Sequence, residues 1–78
     1  MSINDNFLER GARLKAERNR LKLTQSEMAE IIGKAVGSIV RYEKHGDALN
    51  QDQLIALSNA GFDVFYITFG LRADTLSE

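Results

Sequence analysis

Apolar residues in the first part of the chain recur at the three- and four-residue spacing of an amphipathic helix. The spacing predicts a first helix from Phe7 to Leu21, whose inner face comprises Phe7, Gly11, Leu14, Arg18 and Leu21. A second helix begins at a capping box, in which Thr24 caps the amide of Glu27 and the Glu27 carboxylate reaches back. Its inner face comprises Met28, Ile31 and Ile32, and a left-handed turn at Gly33 ends it.

Two further helices follow the same pattern. The third runs from about Ala35 to Lys44 and ends before Gly46; the residues expected on its inner face are Ile39 and Tyr42. The fourth begins at a second capping box, formed by Asn50 and Gln53, and ends at Gly61. The residues expected on its inner face are Leu54, Leu57 and Ser58, with Ile55 beside them.

The last predicted helix is the least regular. Asp63 caps it, it runs from Val64 to Phe69, and Gly70 closes it. Its β-branched and aromatic residues also favour a strand, but capping residues and glycine stops agree along the whole chain. The sequence therefore predicts an all-α fold of five short helices, with a core from about residue 7 to 70 and termini that fray.

Composition limits the possible functions. The 78 residues, 44% of them hydrophobic, fit one small domain that spans residues 1–78. With no cysteine and a single histidine, His45, we expect no disulfide, no metal site and no cofactor. No apolar run approaches a membrane span and the start MSINDNF carries no secretion signal, so a cytoplasmic protein is expected. The absence of catalytic motifs argues against an enzyme.

The charges are distributed unevenly, although the net charge is only −1. Residues 1–46 hold nine Lys or Arg against six Asp or Glu, whereas residues 47–78 hold one against five. A basic half suits a phosphate-facing surface, and an ordinary solvated imbalance is the alternative. Because the excess is small, non-specific binding to nucleic acid should be weak.

Arg18 is the one charged residue within the apolar stripe of the first helix, between Leu14 and Leu21. A guanidinium that faces a core needs a partner, because an unpaired buried charge costs several kcal/mol. Glu43, on the inner face of the third helix, is the candidate, and the pair would orient Arg18 toward a backbone phosphate. The alternative is that Arg18 reaches solvent along the helix surface.

The stretch from Thr24 to Glu43 has the length of a helix-turn-helix unit. With Gln25, Gly33, Ile39, Tyr42 and Glu43 in place, the chain resembles the lambda repressor and Cro-like helix-turn-helix family, also called XRE-type. The matching segments are RLKAERNRLKLTQSEMAEIIG, SIVRYEK and LIALSNAGFDVFYITFG, within about residues 7–70. The resemblance implies a compact five-helix domain that binds double-stranded operator DNA through the major groove, usually as a dimer.

The resemblance also implies roles for residues around the unit. Gln25 is similar to the family residue that hydrogen-bonds a phosphate and buttresses the recognition helix; the alternative is an ordinary exposed polar residue at a helix start. The family commonly pairs Arg and Glu at the positions of Arg18 and Glu43. The other residues expected to contact the DNA backbone are Thr24, Lys34 and Lys44.

The positions that match the family's base readers are Ala35, Val36, Gly37, Ser38 and Arg41. Ala35 lacks the hydroxyl that usually caps this helix, whereas Ala and Val can contact a thymine methyl and Gly37 permits close backbone approach. Arg41 can reach O6 and N7 of guanine, which is worth about 1–3 kcal/mol of discrimination. Its alternative is a solvated side chain paired with the neighbourhood of Glu43 or with Asp47.

Four of the six aromatic residues lie within eight positions: Phe62, Phe65, Tyr66 and Phe69. A small helical domain can bury only some of them, so the others predict an exposed apolar patch and a dimer interface. In the family this region often pairs subunits, which places two recognition helices about 34–36 Å apart. The alternative is that all four complete the core.

Two hypotheses about function remain. The first is a phage or bacterial repressor or other transcriptional regulator that occupies a promoter operator. The second is a protein-interaction module of the same fold, such as an antitoxin or an accessory factor. The net negative charge and the apolar first turn of the third helix motivate the second hypothesis.

Overall fold

A computed structural model describes residues 3–71 of the chain, and the side chains from residue 9 onward. Within this range the chain forms five α-helices: α1 (Ile3–Arg20), α2 (Gln25–Ile32), α3 (Val36–His45), α4 (Gln51–Asn59) and α5 (Val64–Phe69). The prediction of an all-α, five-helix domain is confirmed, and the segment that also favoured a strand is α5. The predicted fraying of the C-terminal tail falls beyond residue 71, outside the described residues.

The capping residues predicted at the helix starts form the expected hydrogen bonds. In α2 the Glu27 amide donates to Thr24 Oγ1 at 3.0 Å, and the Thr24 amide donates to Glu27 Oε1 at 2.8 Å. Asn50 and Gln53 form the same reciprocal pair at the start of α4, with both bonds at 2.8 Å. Asp63 Oδ1 accepts from the amide of Tyr66 at 2.9 Å and so caps α5.

Some predicted boundaries differ from the structure. Helix α1 begins at Ile3, ahead of the expected Phe7, whose side chain lies outside the described part of the chain. Helix α3 is shifted by one residue and ends at His45. Helix α4 ends at Asn59, before the predicted stop at Gly61, because Ala60 closes it in a right-handed conformation.

The buried apolar core draws on every helix. Its members are Leu14, Met28, Ala29, Ile32, Ile39, Leu57, Phe62 and Ile67. The expectation that Ser58 belongs to the inner face of α4 is wrong: Ser58 is exposed, and Gln53 is buried instead. Gln53 is held inward by its two capping bonds with Asn50 and by the Tyr42 hydroxyl, which lies 3.4 Å from Gln53 Nε2.

Helices α1 and α3 approach each other most closely at Gly11. A Cβ atom added there would overlap the Glu43 carbonyl oxygen and lie 2.9 Å from that of Tyr42. Glycine in a helix interior costs about 0.5–1 kcal/mol relative to alanine. Here the absence of a side chain lets the two helix backbones touch, and this contact sets the position of α3.

Polar side chains of α1 hold the remaining elements in place. Arg10 donates through Nε to the Gly46 carbonyl at 2.9 Å, and Arg13 donates through Nε to the Ile67 carbonyl at 3.0 Å.

Glu17 is fully buried; it accepts two hydrogen bonds from Arg20 at 2.8 and 2.9 Å and one from the Asp63 amide at 2.7 Å. The bond to Glu17 raises the pKa of Arg20. These contacts fix α1 against the ends of α3 and α5.

Candidate nucleic-acid interface

The turn between α2 and α3 gives the two helices their relative orientation. Gly33 adopts a left-handed conformation with φ 68° and ψ 37°, and the Lys34 amide donates to the Ala29 carbonyl at 3.0 Å. Ala35 is the N-cap of α3 and makes no side-chain capping bond. The Ser38 amide bonds the Ala35 carbonyl at 2.9 Å instead, so the backbone alone closes the first turn of α3.

Arg18 and Glu43 meet beneath α3. Arg18 Nε lies 2.6 Å from Glu43 Oε2 and Nη2 lies 3.1 Å from Oε1, in the two-pronged geometry typical of arginine and carboxylate. The Gln25 side-chain amide donates to Glu43 Oε1 at 3.2 Å. One carboxylate therefore joins the first three helices and holds the inner side of α3.

Arg18 is a positioning residue in this arrangement. It is only 8% exposed, and its Nε, Nη1 and Nη2 atoms all donate within the protein, the second of them to the Leu23 carbonyl at 3.0 Å. The expectation that Arg18 itself contacts a phosphate does not fit this burial, because the carboxylate of Glu43 turns the guanidinium inward. Arg18 therefore joins α1 to α3 and to the loop that precedes α2.

The outer face of α3 consists of apolar and cationic residues. Val36 and Val40 are 41% and 45% exposed, and the Arg41 side chain is 71% exposed. Gly37 and Lys44 are exposed on the same helix. Glu43 is the one acidic residue of α3, and it is buried on the opposite side. This face can therefore approach a polyanion without repulsion from a carboxylate of its own helix.

Of the predicted base readers, Ala35, Val36, Gly37 and Arg41 are exposed and Ser38 is half-buried. Val40 is exposed as well and was not among the predicted base readers, although it lies four residues after Val36 and residues at that spacing share one face of a helix.

Arg41 is not free in the structure of the protein alone. Its Nη2 atom donates to Asp47 Oδ2 at 2.8 Å, and Nε donates to the same oxygen at 3.3 Å. The hydrogen bond to Asp47 raises the pKa of Arg41, which stays charged at any physiological pH. The pair is exposed to solvent and contributes little to stability, so Arg41 can leave Asp47 at small cost.

The residues expected to contact the DNA backbone surround the two ends of α3. Thr24 and Lys34 are exposed, at the start of α2 and in the turn, and Lys44 is exposed in the last turn of α3. Gln25 is half-buried because its amide reaches Glu43. An amide nitrogen carries two hydrogens, so the second one remains available to an external acceptor.

The aromatic segment divides between core and surface. Phe62 is 3% exposed and belongs to the core, so it does not contribute to the predicted interface patch. Phe65 and Tyr66 are half-buried, and Phe69 is 65% exposed. The rings of Phe65 and Phe69 pack with their centroids 4.9 Å apart, and Leu71, two residues further along the chain, is 47% exposed. The resulting patch is smaller than expected and lies at the end of α5.

The described part of the chain forms five helices, and a glycine turn joins α2 to α3. The inner side of α3 is held by the core, and its outer side is exposed. This arrangement defines a helix-turn-helix domain. The family model described as Helix-turn-helix matches residues 14–61, which is more than half of the chain. The chain therefore belongs to this family of DNA-binding regulatory domains, of the XRE or lambda-repressor type, and the resemblance found in its sequence is confirmed. The family is not typically enzymatic. No match was found among curated proteins or among solved structures.

Among the described residues, no helix combines the length and the apolar character that crossing a membrane would require.

Proposed function

We propose that this protein is a sequence-specific transcriptional regulator that represses by occupying operator DNA in a bacterial or phage-infected cytoplasm. The observation that supports the proposal is the contrast between the two sides of α3, one buried against the domain and one exposed. Its inner side is held by Ile39 and by the carboxylate of Glu43, and its outer side presents only neutral and cationic groups. A helix supported in this way can enter the major groove as a rigid rod.

In the proposed complex, backbone contacts fix the register and α3 reads the bases. Thr24, Lys34 and Lys44 contact phosphates, and Gln25 donates its second amide hydrogen to a phosphate while the first stays on Glu43. Arg41 exchanges Asp47 for O6 and N7 of a guanine. The remaining groups within reach of base edges are Ala35, Val36, Gly37 and Ser38.

The protein is proposed to act as a homodimer. Phe65, Tyr66, Phe69 and Leu71 form the surface through which α5 of one subunit meets α5 of its partner. The support is the exposure of Phe69 and Leu71 at the end of a short helix, because large exposed apolar groups that lie together usually mark an interface. A two-fold axis through this patch would present two α3 helices to successive major grooves.

Selection of bound sequences from a random pool of duplex DNA tests the proposal, followed by titration of the selected duplex at several salt concentrations. We expect an enriched site with two-fold symmetry, and a logarithm of affinity that falls linearly with the logarithm of salt concentration. Lys44→Ala should reduce that slope by about one, as loss of one phosphate contact does. Lys15→Ala, which removes an exposed charge from α1, is the matched control and should leave the slope unchanged.

A second candidate is a protein-interaction module, which the exposed Val36 and Val40 favour. The same titration separates the two candidates. Failure to bind any duplex even at low salt would overturn the regulator proposal and leave the interaction module in its place.

A further inference from the structure

We propose that α3 reads thymine by its C5-methyl group, and that Val36 and Val40 are the residues that recognise it. This inference rests on the proposed function and specifies what the regulator selects in its operator: a half-site with thymines on neighbouring base pairs. Val40 thereby becomes a specificity-determining residue alongside Arg41.

The two valines form a continuous apolar strip on the outer face of α3. They are one helical turn apart, so their side chains lie about 6 Å from each other along the helix axis. Successive base pairs are separated by about 3.4 Å, so the strip spans methyl groups on base pairs one or two steps apart. With 41% and 45% of their surfaces exposed, both side chains keep an uncovered apolar face in the protein alone.

The surroundings of the strip favour DNA as its occupant over an apolar protein surface. Lys34 precedes it in the turn, and Arg41 and Lys44 follow it on α3, while the helix exposes no carboxylate. An apolar strip flanked by cations matches a major groove, in which a thymine methyl lies between two phosphate backbones. Thymine is the unmodified base that presents a methyl group there.

Gly37 supplies a second observation. A Cβ atom added at Gly37 would have no neighbour within 4 Å, whereas one added at Gly11 would overlap the backbone of α3. Glycine weakens a helix relative to alanine, so the fold gains nothing from glycine at position 37. The missing side chain leaves a gap beside the valine strip, and this gap lets base edges approach the α3 backbone closely enough for the methyl contacts to form.

The test replaces each thymine of the selected duplex in turn by deoxyuridine, which removes only the methyl group. We expect about fourfold weaker binding at the positions read by the valines, the factor that corresponds to the burial of one methyl-sized group. Val40→Ser and Val36→Ser remove both methyl groups of the side chain, so each variant should lose the preference for thymine over uracil at one of these positions. Ile55→Ser is the matched control, because Ile55 is 51% exposed on α4; it should retain both preferences.

Gly37→Ala adds a readout in which stability and binding move in opposite directions. It should raise the thermal unfolding midpoint. It should also weaken binding to the selected duplex by roughly tenfold, the factor that corresponds to overpacking by one added methyl group in the gap. Unchanged or tighter binding by this variant would overturn the role given to the gap.

The outcomes separate this inference from the function on which it rests. Suppose that the protein binds its selected duplex and binds equally well when uracil replaces thymine at each position. Recognition of the thymine methyl group is then overturned, while the proposed function as a regulator is not. The same holds if the valine variants keep the full preference for thymine. If no duplex is bound at low salt, the regulator proposal itself fails. Circular dichroism of each variant confirms that the helices are intact.

Discussion

At the scale of single residues, Arg18 allowed a contact between two helices to be predicted, because it is charged where its neighbours are apolar. A buried guanidinium requires a carboxylate, and Glu43 is the acid that the helical spacing of α3 brings to it. Gln25 then adds a third member that the sequence indicated only through the family resemblance. A charge in an apolar stripe therefore predicted a contact between residues 25 positions apart in the chain.

The contribution of the Arg18–Glu43 pair to stability can be measured by replacing Glu43. Glu43→Ala leaves Arg18 buried without a counter-charge, so we expect a loss of about 3–5 kcal/mol in the free energy of unfolding, measured with urea. Asp47→Ala breaks the exposed pair with Arg41 and is the matched control; it should change stability by less than about 1 kcal/mol. Similar losses in the two variants would contradict the structural role of the buried pair.

At the scale of the helices, the sequence predicted the capping contacts at helix ends better than it predicted which side of each helix is buried. Capping boxes and glycine stops involve residues a few positions apart, so Thr24, Asn50 and Gly33 could be interpreted without knowledge of the fold. The side of α4 that faces inward is set by the helices around it, including Tyr42 of α3, and this is why the burial of Gln53 was missed and Ser58 was wrongly assigned.

The same distinction applies to the candidate site. The unit from α2 to α3 follows from local spacing and from the family resemblance. Burial of Glu17 depends instead on the amide of Asp63, 46 positions away in the chain, and no nearby residue signals it. The pair of Arg41 and Asp47, by contrast, joins residues close in the chain, and the sequence already offered it as an alternative to base contact.

Two glycines in helices should respond to alanine in opposite ways. Gly11→Ala forces α1 away from the α3 backbone, so we expect a loss of about 1–3 kcal/mol, the usual range for overpacking. Gly37→Ala meets no neighbour and should gain about 0.5–1 kcal/mol from helix propensity. Thermal unfolding of both variants measures the difference, and a stabilised Gly11→Ala would refute the close backbone contact of α1 and α3.

At the scale of the whole molecule, the cationic face of α3 and the exposed aromatic patch belong to different helices. The net charge of −1 hides a cationic outer face on α3, and the exposed aromatic patch lies at the far end of the chain, on α5. Under the proposed function, two copies can therefore join through α5 while the face of α3 that is proposed to meet DNA stays uncovered. The proposed dimerisation and the proposed DNA binding can then be disrupted one at a time.

Substitution of Phe69 tests the proposed dimer. Because Phe69 is 65% exposed, Phe69→Glu should leave the fold intact while it places a charge in the interface of each subunit. We expect the unmodified protein to sediment as a dimer at tens of micromolar and the variant as a monomer with reduced affinity for a two-fold site. Ile55→Glu, on α4, is the control and should stay dimeric. A monomeric unmodified protein at these concentrations would rule out the interface.

The two-sided construction of α3 has a consequence for how this protein can evolve. What holds the helix is Ile39, Glu43 and the backbone contact at Gly11, and none of these lies on the outer face. Exposed positions such as 36, 37 and 40 tolerate exchange at a cost near zero in stability. If α3 reads an operator as proposed, new preferences can arise by single substitutions while the chain still folds, without compensating mutations in the core.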